Sequence, residues 1–431
     1  MKSARNTQLL QTIPKALLGL AVALASSSLW ASGLTINEQS ISAMGTGFAG
    51  RSSSADDAST VYGNPAGMAR LKQEQASLGA ATLNAKTDIS QTRSTFGGKE
   101  DGNIVPLTTV PMGYYVKPID EHWAFGVGVY VPFGLITDYD SDFAGRYFAN
   151  KSKIQIITFQ PTVSYAFNDR VSIGFGPTIN RIDGELTSQV PNVQSLGRND
   201  GKVKIDGDDT AIGFNAGILV QADDKTRVGL TYHSKVSYNL KGHTKVSGGS
   251  FSLLGLSGKS YDAKLGLDTP ESVDVSLTHQ LNDDWTLYMG STWTRWSRFK
   301  DITVENSNVS PYLSGSLSTI TEEQNWHDTW AHAIGAAYQL NPQWVLRTGL
   351  SVDESPTNNT NRSPRIPTGD RTAISFGAGW TPVSNLTVDF AYSYLWEESV
   401  KVNDSSASKG AYSAKFKNTA SGFGSSVTYR F

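Results

Sequence analysis

Leu386-Thr387-Val388-Asp389-Phe390-Ala391-Tyr392-Ser393-Tyr394-Leu395-Trp396 decides the fold. Side chains on an extended strand alternate between its two faces, so Leu386, Val388, Phe390, Tyr392, Tyr394 and Trp396 share one side. Thr387, Asp389, Ala391 and Ser393 share the other. The bulky aromatic face is the wide one, and it belongs in an apolar solvent. Two further stretches read alike: Ile157, Phe159, Val163, Tyr165 and Phe167, with Pro161 among them, oppose Thr158, Gln160, Thr162, Ser164 and Ala166. Val228, Leu230, Tyr232, Val236, Tyr238 and Leu240 oppose Arg227, Gly229, Thr231, His233, Lys235 and Ser237. Strands of soluble sandwiches average roughly 5–6 residues and turn their polar face outward. Longer strands with an aromatic outer face fit a membrane barrel.

The connections give the strand number. Short turns are expected at Ile119–Glu121, Asn168–Arg170, Asp223–Lys225, Asn282–Asp284, Asn341–Gln343 and Pro382–Asn385. Longer polar stretches alternate with them, at 90–105, 136–151, 187–209, 243–260, 305–323, 354–369 and 401–413. Bacterial outer-membrane barrels have an even strand number, short periplasmic turns and longer outer loops. Six turns and seven loops join fourteen strands over residues 75–431, with both termini periplasmic. The chain ends on Val427, Tyr429 and Phe431 at alternate positions, a terminal aromatic suited to recognition by the barrel-assembly machinery.

Composition agrees. Charged residues are 18% of the 431, below the roughly 25% of soluble domains, and aromatics reach 10%. A net charge of −2 lacks the basic surface that nucleic acid requires. No Cys is present, which excludes disulfides and thiolate chemistry. Lys2, Arg5 and Lys15 precede the apolar run Ala16–Ala25, and small residues follow to Ala31. That order is a secretory signal, residues 1–31, cleaved near Ala31 or Ser32. The apolar run is too short for a transmembrane helix, which needs roughly 20 residues.

Residues 32–74 are rich in Gly, Ala and Ser, lack strand alternation and carry too many apolar residues for a disordered tail. Within them, Gly33-Leu34-Thr35-Ile36-Asn37-Glu38-Gln39, Gly45-Thr46-Gly47-Phe48-Ala49-Gly50, Ala55-Asp56-Asp57-Ala58-Ser59-Thr60 and Asn64-Pro65-Ala66-Gly67-Met68 occur in that order. The segment resembles the N-terminal hatch of the FadL family of outer-membrane transporters for long-chain fatty acids and other hydrophobic compounds. Val131 to Leu135, Gly145-Arg146-Tyr147, Pro161 to Phe167, Arg347 to Leu350, Asp353 to Pro356 and Ile366 to Arg371 are similar to the family pattern as well.

The resemblance implies an all-β, 14-stranded antiparallel barrel plugged by a small hatch, monomeric, in the outer membrane of a Gram-negative bacterium. Lipid and lipopolysaccharide would surround it. It implies passive transport: an apolar lumen pocket captures the ligand, and lateral exit follows at a kink in the third strand. Burial of an acyl chain is worth about 0.8 kcal/mol per methylene, which suffices for capture without an energy source. Asn64, Pro65 and Ala66 are the expected hatch motif. Pro132, Phe133 and Gly134 are the expected kink, since proline cannot donate to the ladder and glycine in a strand marks a bend. Arg181 and His327 are candidates for a ligand headgroup, with Leu34 and Ile36 beside the ligand. Phe251, Leu253, Leu254 and Leu256, with Phe143, Tyr147 and Phe148 in another loop, are candidates for capture at the outer loops. Thr187 to Asp209 is shorter and more polar than the family's usual loop there.

Other functions fare worse. His122, His233, His243, His279, His327 and His332 lie in no nucleophile motif, and no G-x-S-x-G occurs, which disfavours a barrel lipase. His327 and His332 are five apart and fall on opposite strand faces, so no metal is expected, and no cofactor motif appears. A polar diffusion porin would not need a folded N-terminal segment. The substrate stays open among fatty acids, oxidised fatty acids, alkanes and aromatics, and passive flow allows export as well as uptake.

Overall fold

The computed structural model describes residues 33–100, 102–192 and 199–431; the signal segment 1–31 lies outside the described residues. Fourteen antiparallel strands follow in chain order. They are β1 (Gln75–Ser94), β2 (Thr108–Pro118), β3 (Trp123–Asp138), β4 (Lys151–Ala166), β5 (Val171–Val190) and β6 (Gly201–Gln221). Next come β7 (Thr226–His233, continued by Val236–Gly248), β8 (Ser260–Thr269 and Ser272–Gln280), β9 (Trp285–Thr294 and Asp301–Asn306) and β10 (Thr319–Glu323 and Thr329–Asn341). β11 (Trp344–Asp353), β12 (Arg371–Val383), β13 (Leu386–Glu397 and Val400–Ser406) and β14 (Gly410–Arg430) complete the wall. Each strand pairs with its sequence neighbours, and β14 returns to β1 from Gln75↔Arg430 to Ser94↔Tyr412, with one register shift between Ser90 and Arg93, which closes the barrel.

Five of the six tight turns share one chemistry. An Asx side chain accepts hydrogen bonds from the backbone two and three residues on. Asp120 takes the His122 and Trp123 N–H groups, Asn168 those of Arg170 and Val171, Asn282 those of Asp284 and Trp285, and Asn341 those of Gln343 and Trp344. Asp223 takes the Lys225 N–H. Aromatics gather at this end, among them stacked Trp344 and Trp380, as at the rim of a membrane barrel.

The outward faces are those the alternation predicts for β4 and β13: Phe159 and Val163, and Phe390, Tyr394 and Trp396, are exposed on the lipid side. β7 differs. Val228 and Leu230 point outward, but Val236, Tyr238 and Leu240 are buried in the lumen. The strand breaks at Ser234 and Lys235, and a one-residue slip of phase exchanges the faces.

Two loops also differ from their reading. Residues 354–370 fold inward: the Tyr139 hydroxyl donates to Pro364 O (2.7 Å), and Thr137 to Arg365 O (3.3 Å). Charge compensation permits it, since Arg365 meets Glu322 at 2.8 Å and Arg371 meets Glu397 at 3.0 Å. Phe143, Tyr147 and Phe148 are buried, and the Phe143 ring stacks 4.0 Å from Tyr139, instead of forming an open surface.

The upper lumen is therefore a dry core, continuous from Leu34 and Ile36 through Val131, Leu135, Trp296, Phe299 and Trp326 to Ile366, Val402 and Phe416. Below it lies the N-terminal segment, with helices α1 (Ile41–Gly45) and α2 (Thr60–Gly63) and a 3₁₀ turn, Pro65–Arg70. Its backbone approaches the wall so closely that inward positions are glycine: Gly174 faces Pro65, Gly217 faces Asn64, Gly229 faces Ser52, Gly290 faces Ala49, and Gly335 and Gly349 face Thr46. At Gly229 and Gly349 any Cβ would overlap the main chain of Ser52 or Thr46.

Candidate functional site

Asn64 caps the 3₁₀ turn. Its Oδ1 accepts from Ala66 N (3.0 Å), while its Nδ2 donates to Ser52 O (2.7 Å) and to Ile218 O of β6 (3.0 Å). Pro65 occupies the first turn, where no donor is needed. Ala66 O accepts from Ser164 (3.3 Å) and Ser172 (2.9 Å), and Gly63 O from Thr231 (2.8 Å). Asn64-Pro65-Ala66 thus fastens the segment to β4, β5 and β6. Ser52 N donates to Ser276 Oγ (2.9 Å) and Ser53 pairs with Thr278 (2.8 Å), extending the attachment to β8.

β3 carries the main irregularity of the wall. Its register with β4 shifts between Tyr130 and Phe133, which brackets Pro132. On the other side, β2 pairs with β3 only from Gly113↔Val129 to Pro118↔Ala124, so Thr108 to Met112 have no β3 partner in the ladder. The outer half of β3 instead pairs with the N-terminal tail. Ile36 N donates to Pro132 O (2.9 Å) and Gly134 N to Leu34 O (2.9 Å), with Thr35 opposite Phe133. Gln39 seals the same place: its Nε2 donates to Val131 O (2.7 Å), its Oε1 accepts from Val131 N (3.3 Å), and its carbonyl accepts from Tyr114 of β2 (2.8 Å). Nothing in the sequence marks Gln39, because a polar residue in a Gly/Ser-rich stretch has no periodic signature.

Above the tail is an aromatic nest. Trp296 and Trp326 meet edge to face at 5.0 Å, Phe299 and Trp326 at 4.7 Å, and Phe133 approaches Trp296 at 6.3 Å. Gly33 lies against both tryptophans, and the buried Trp296 Nε1 has no hydrogen-bond partner among the described residues. Beside the tail is a cavity of about 120 Å³ with a mixed lining that includes Glu38, Arg51, Tyr62, Phe133, His233 and Arg371. This cavity is more polar than an acyl-chain pocket should be. Arg51 donates to Asn37 (2.7 Å). Burial pushes the Glu38 carboxyl above its usual range, against the opposing pull of Arg371 and Arg51. A second, apolar recess lies higher in the barrel, lined by Ile154, Ile182, Leu240, Leu267, Ile302 and Val304.

The two headgroup candidates are elsewhere. Arg181 stands on the outward face of β5, half exposed and 2.8 Å from Asp208, because odd positions of that strand point away from the lumen. His327 is exposed in the break of β10 and reaches loop 354–370 only through its backbone N–H, to Pro356 O at 3.1 Å. Leu34 and Ile36 are buried at the kink. Phe251 is 5% exposed in a loop cluster with Val203, Val246, Tyr261, Leu313 and Leu317; Leu256 packs against it, and Leu253 and Leu254 are 73% and 48% exposed above it.

Residues 22–431 match the family model described as outer membrane protein transport protein (OMPP1/FadL/TodX). The long-chain fatty acid transport protein of Escherichia coli K12 is 28% identical over 450 residues, covering 97% of this chain and 98% of that one. The 47 kDa outer membrane protein of Pasteurella multocida is 30% identical, with 99% and 100% covered. Among solved structures, a Pseudomonas aeruginosa FadL homologue superposes with a TM-score of 0.84 at 26% identity, over 93% of this chain and all of that chain. The Ralstonia pickettii toluene transporter TbuX shares the fold, with a TM-score of 0.64 at 19% identity over 87% of this chain and 94% of that chain. A closed barrel with an N-terminal segment in its lumen, matched by a family model over nearly its whole length, belongs to the FadL family of outer-membrane transport proteins.

Proposed function

We propose that this protein carries long-chain fatty acids or closely related amphiphiles across the outer membrane by passive diffusion, with sideways exit where β3 leaves β2. The observation that carries the reading is the unpaired ladder edge of β2 above Met112, beside a kinked β3 whose inner partner is the tail Leu34–Ile36. Residues 32–74 act as a hatch that closes the lumen below this exit.

The exposed Leu253 and Leu254 collect the ligand, and the apolar recess and core above the tail take its chain. The polar cavity beneath, with Arg51 and Arg371, suits a headgroup. An apolar path ending on a polar cavity favours an amphiphile over a plain alkane. The role is non-enzymatic. Displacement of Leu34 to Ile36 by the arriving chain frees Pro132 O and Gly134 N and opens the way to the gap.

The test compares wild type with a Pro132→Ala/Gly134→Val variant designed to straighten β3, in fatty-acid binding by purified protein and in cellular uptake. Binding retained by both, with uptake lost in the variant, is expected. Equal uptake by a variant whose β3 is demonstrably straight overturns lateral exit. Absence of any apolar binding, together with ion conductance, would mean a polar porin.

A further inference from the structure

On the outside of the barrel, where β13, β14 and β1 run together, basic residues gather. Lys401 of β13 stands directly opposite Lys415 of β14, and Lys415 opposite Ser90 of β1. Lys417 and Lys86 follow below on the same face, and Arg93, opposite Ser413, lies just above. Their outward direction follows from the alternation, since Val400, Val402, Ala414, Phe416 and Asn418 between them are buried inward. The carboxylates near this face are Asp88, opposite Lys417, Glu100, whose Oε1 accepts from Thr92 N (3.1 Å), and the exposed Glu398 in the break of β13. Among the described residues, none of the five cations has a carboxylate within ion-pair distance.

Like charges directly opposite on neighbouring strands repel. The other lysine-rich face of the barrel handles this internally. Lys241 also faces Lys264, but there Asp208 stands opposite Lys241, Glu305 opposite Lys264, and Glu185 pairs with Lys204 at 2.9 Å. The β13–β14–β1 face has Asp88 opposite Lys417 but no carboxylate opposite Lys401, Lys415 or Arg93, and these need anions from outside.

Its height names them. Phe390, Tyr394 and Trp396 form the outward apolar face of β13, and Thr419 opposite Trp396 begins the polar part of β14. The cations begin directly above this aromatic edge, at the level of the lipid headgroups on the outer side. We infer that this face binds the phosphates of lipopolysaccharide, with the acyl chains of its lipid A against Phe390, Tyr394, Trp396 and Phe423 and the glucosamine phosphates between Lys401, Lys415 and Arg93. The site is independent of the transport path, since these side chains point away from the lumen.

The test uses full-length protein purified free of lipopolysaccharide, titrated in detergent with bisphosphorylated lipid A and with the same lipid lacking both phosphates, read by native mass spectrometry. A lysine beside an anionic lipid surface contributes roughly fivefold in affinity, so Lys401→Ser/Lys415→Ser is expected to bind the bisphosphorylated lipid about twenty-five-fold more weakly. Lys401→Arg/Lys415→Arg keeps the binding, and Lys241→Ser/Lys264→Ser leaves it unchanged. Heat-modifiable gel mobility verifies that each variant is folded. Equal binding by the Lys401→Ser/Lys415→Ser variant, an equal loss in the Lys241→Ser/Lys264→Ser variant, or equal binding of the dephosphorylated lipid overturns the inference.

Discussion

Two residues concentrate the chemistry of the lumen. Among the described residues Trp296 Nε1 is a buried donor without an acceptor, an arrangement that costs stability until a ligand supplies one. Trp296→Phe removes the donor and keeps the ring. The expected result is about tenfold weaker binding of a fatty acid, one hydrogen bond's worth, with alkane binding unchanged. Isothermal titration with palmitate and hexadecane measures both, and an equal effect on the two ligands shows that the indole N–H does not touch the headgroup. Asn64 is the other. Asn64→Ala leaves Ser52 O, Ile218 O and Ala66 N without its side chain, at about 1–3 kcal/mol for each buried group left unpaired. The wall's own ladder is untouched, so the barrel's melting temperature should hold while ion conductance in a planar bilayer rises as the hatch loosens. Of these two, only Asn64 stands out in the sequence, through its neighbours Pro65 and Ala66. Trp296 is one of ten tryptophans, and its isolation depends on a break in β9 that no spacing announces.

Among the elements, the tail Gly33–Ile36 and the outer half of β3 form a short pairing inside the barrel. Pro132 could be recognised in advance because it lacks a ladder donor and stands near Gly134, a residue that permits a bend. Its pairing partner could not, because four residues without alternation leave no strand signature. The same limit explains β7, where Val228 to Leu240 keeps apolar residues at every even position but Ser234, while the phase slips at Ser234 and Lys235. Those residues preserve the pattern yet reverse its meaning. Glu38, two residues beyond the pairing's end, gives it a pH dependence. A carboxyl raised by burial stabilises the docked state below its unfolded value, and the contribution is lost as pH rises through the raised folded value. Protection of the Ile36 and Gly134 amides from hydrogen exchange, corrected for the intrinsic rate, should fall as pH rises above the ordinary carboxylate range. Glu38→Gln should flatten that slope; an unchanged slope would assign it to another group.

At the scale of the whole molecule, the barrel is filled from both ends. The strand number, closure and turns follow from alternation and Asx chemistry, both local and therefore legible. The inward course of 354–370 is not, because a segment containing Arg362 and Arg365, with Arg371 directly after it, reads as solvated until Glu322 and Glu397 are known to meet these cations. Removing that compensation with Glu322→Gln should release Arg365 and the loop with it, so that a protease cleaves after Arg362 or Arg365 in intact cells while wild type resists. Resistance in the variant would mean that Thr137 and Tyr139 hold the loop without the ion pair.

The glycine-faced wall has a consequence for how the protein is built. A β-barrel in which Gly229 and Gly349 leave room only for the backbone of Ser52 and Thr46 cannot seal its β14–β1 seam around that segment in any other position. The segment that precedes the first strand is thus the mould on which the last strand must close. An N-terminal segment that arrives late or in the wrong register is an assembly defect before it is a transport defect.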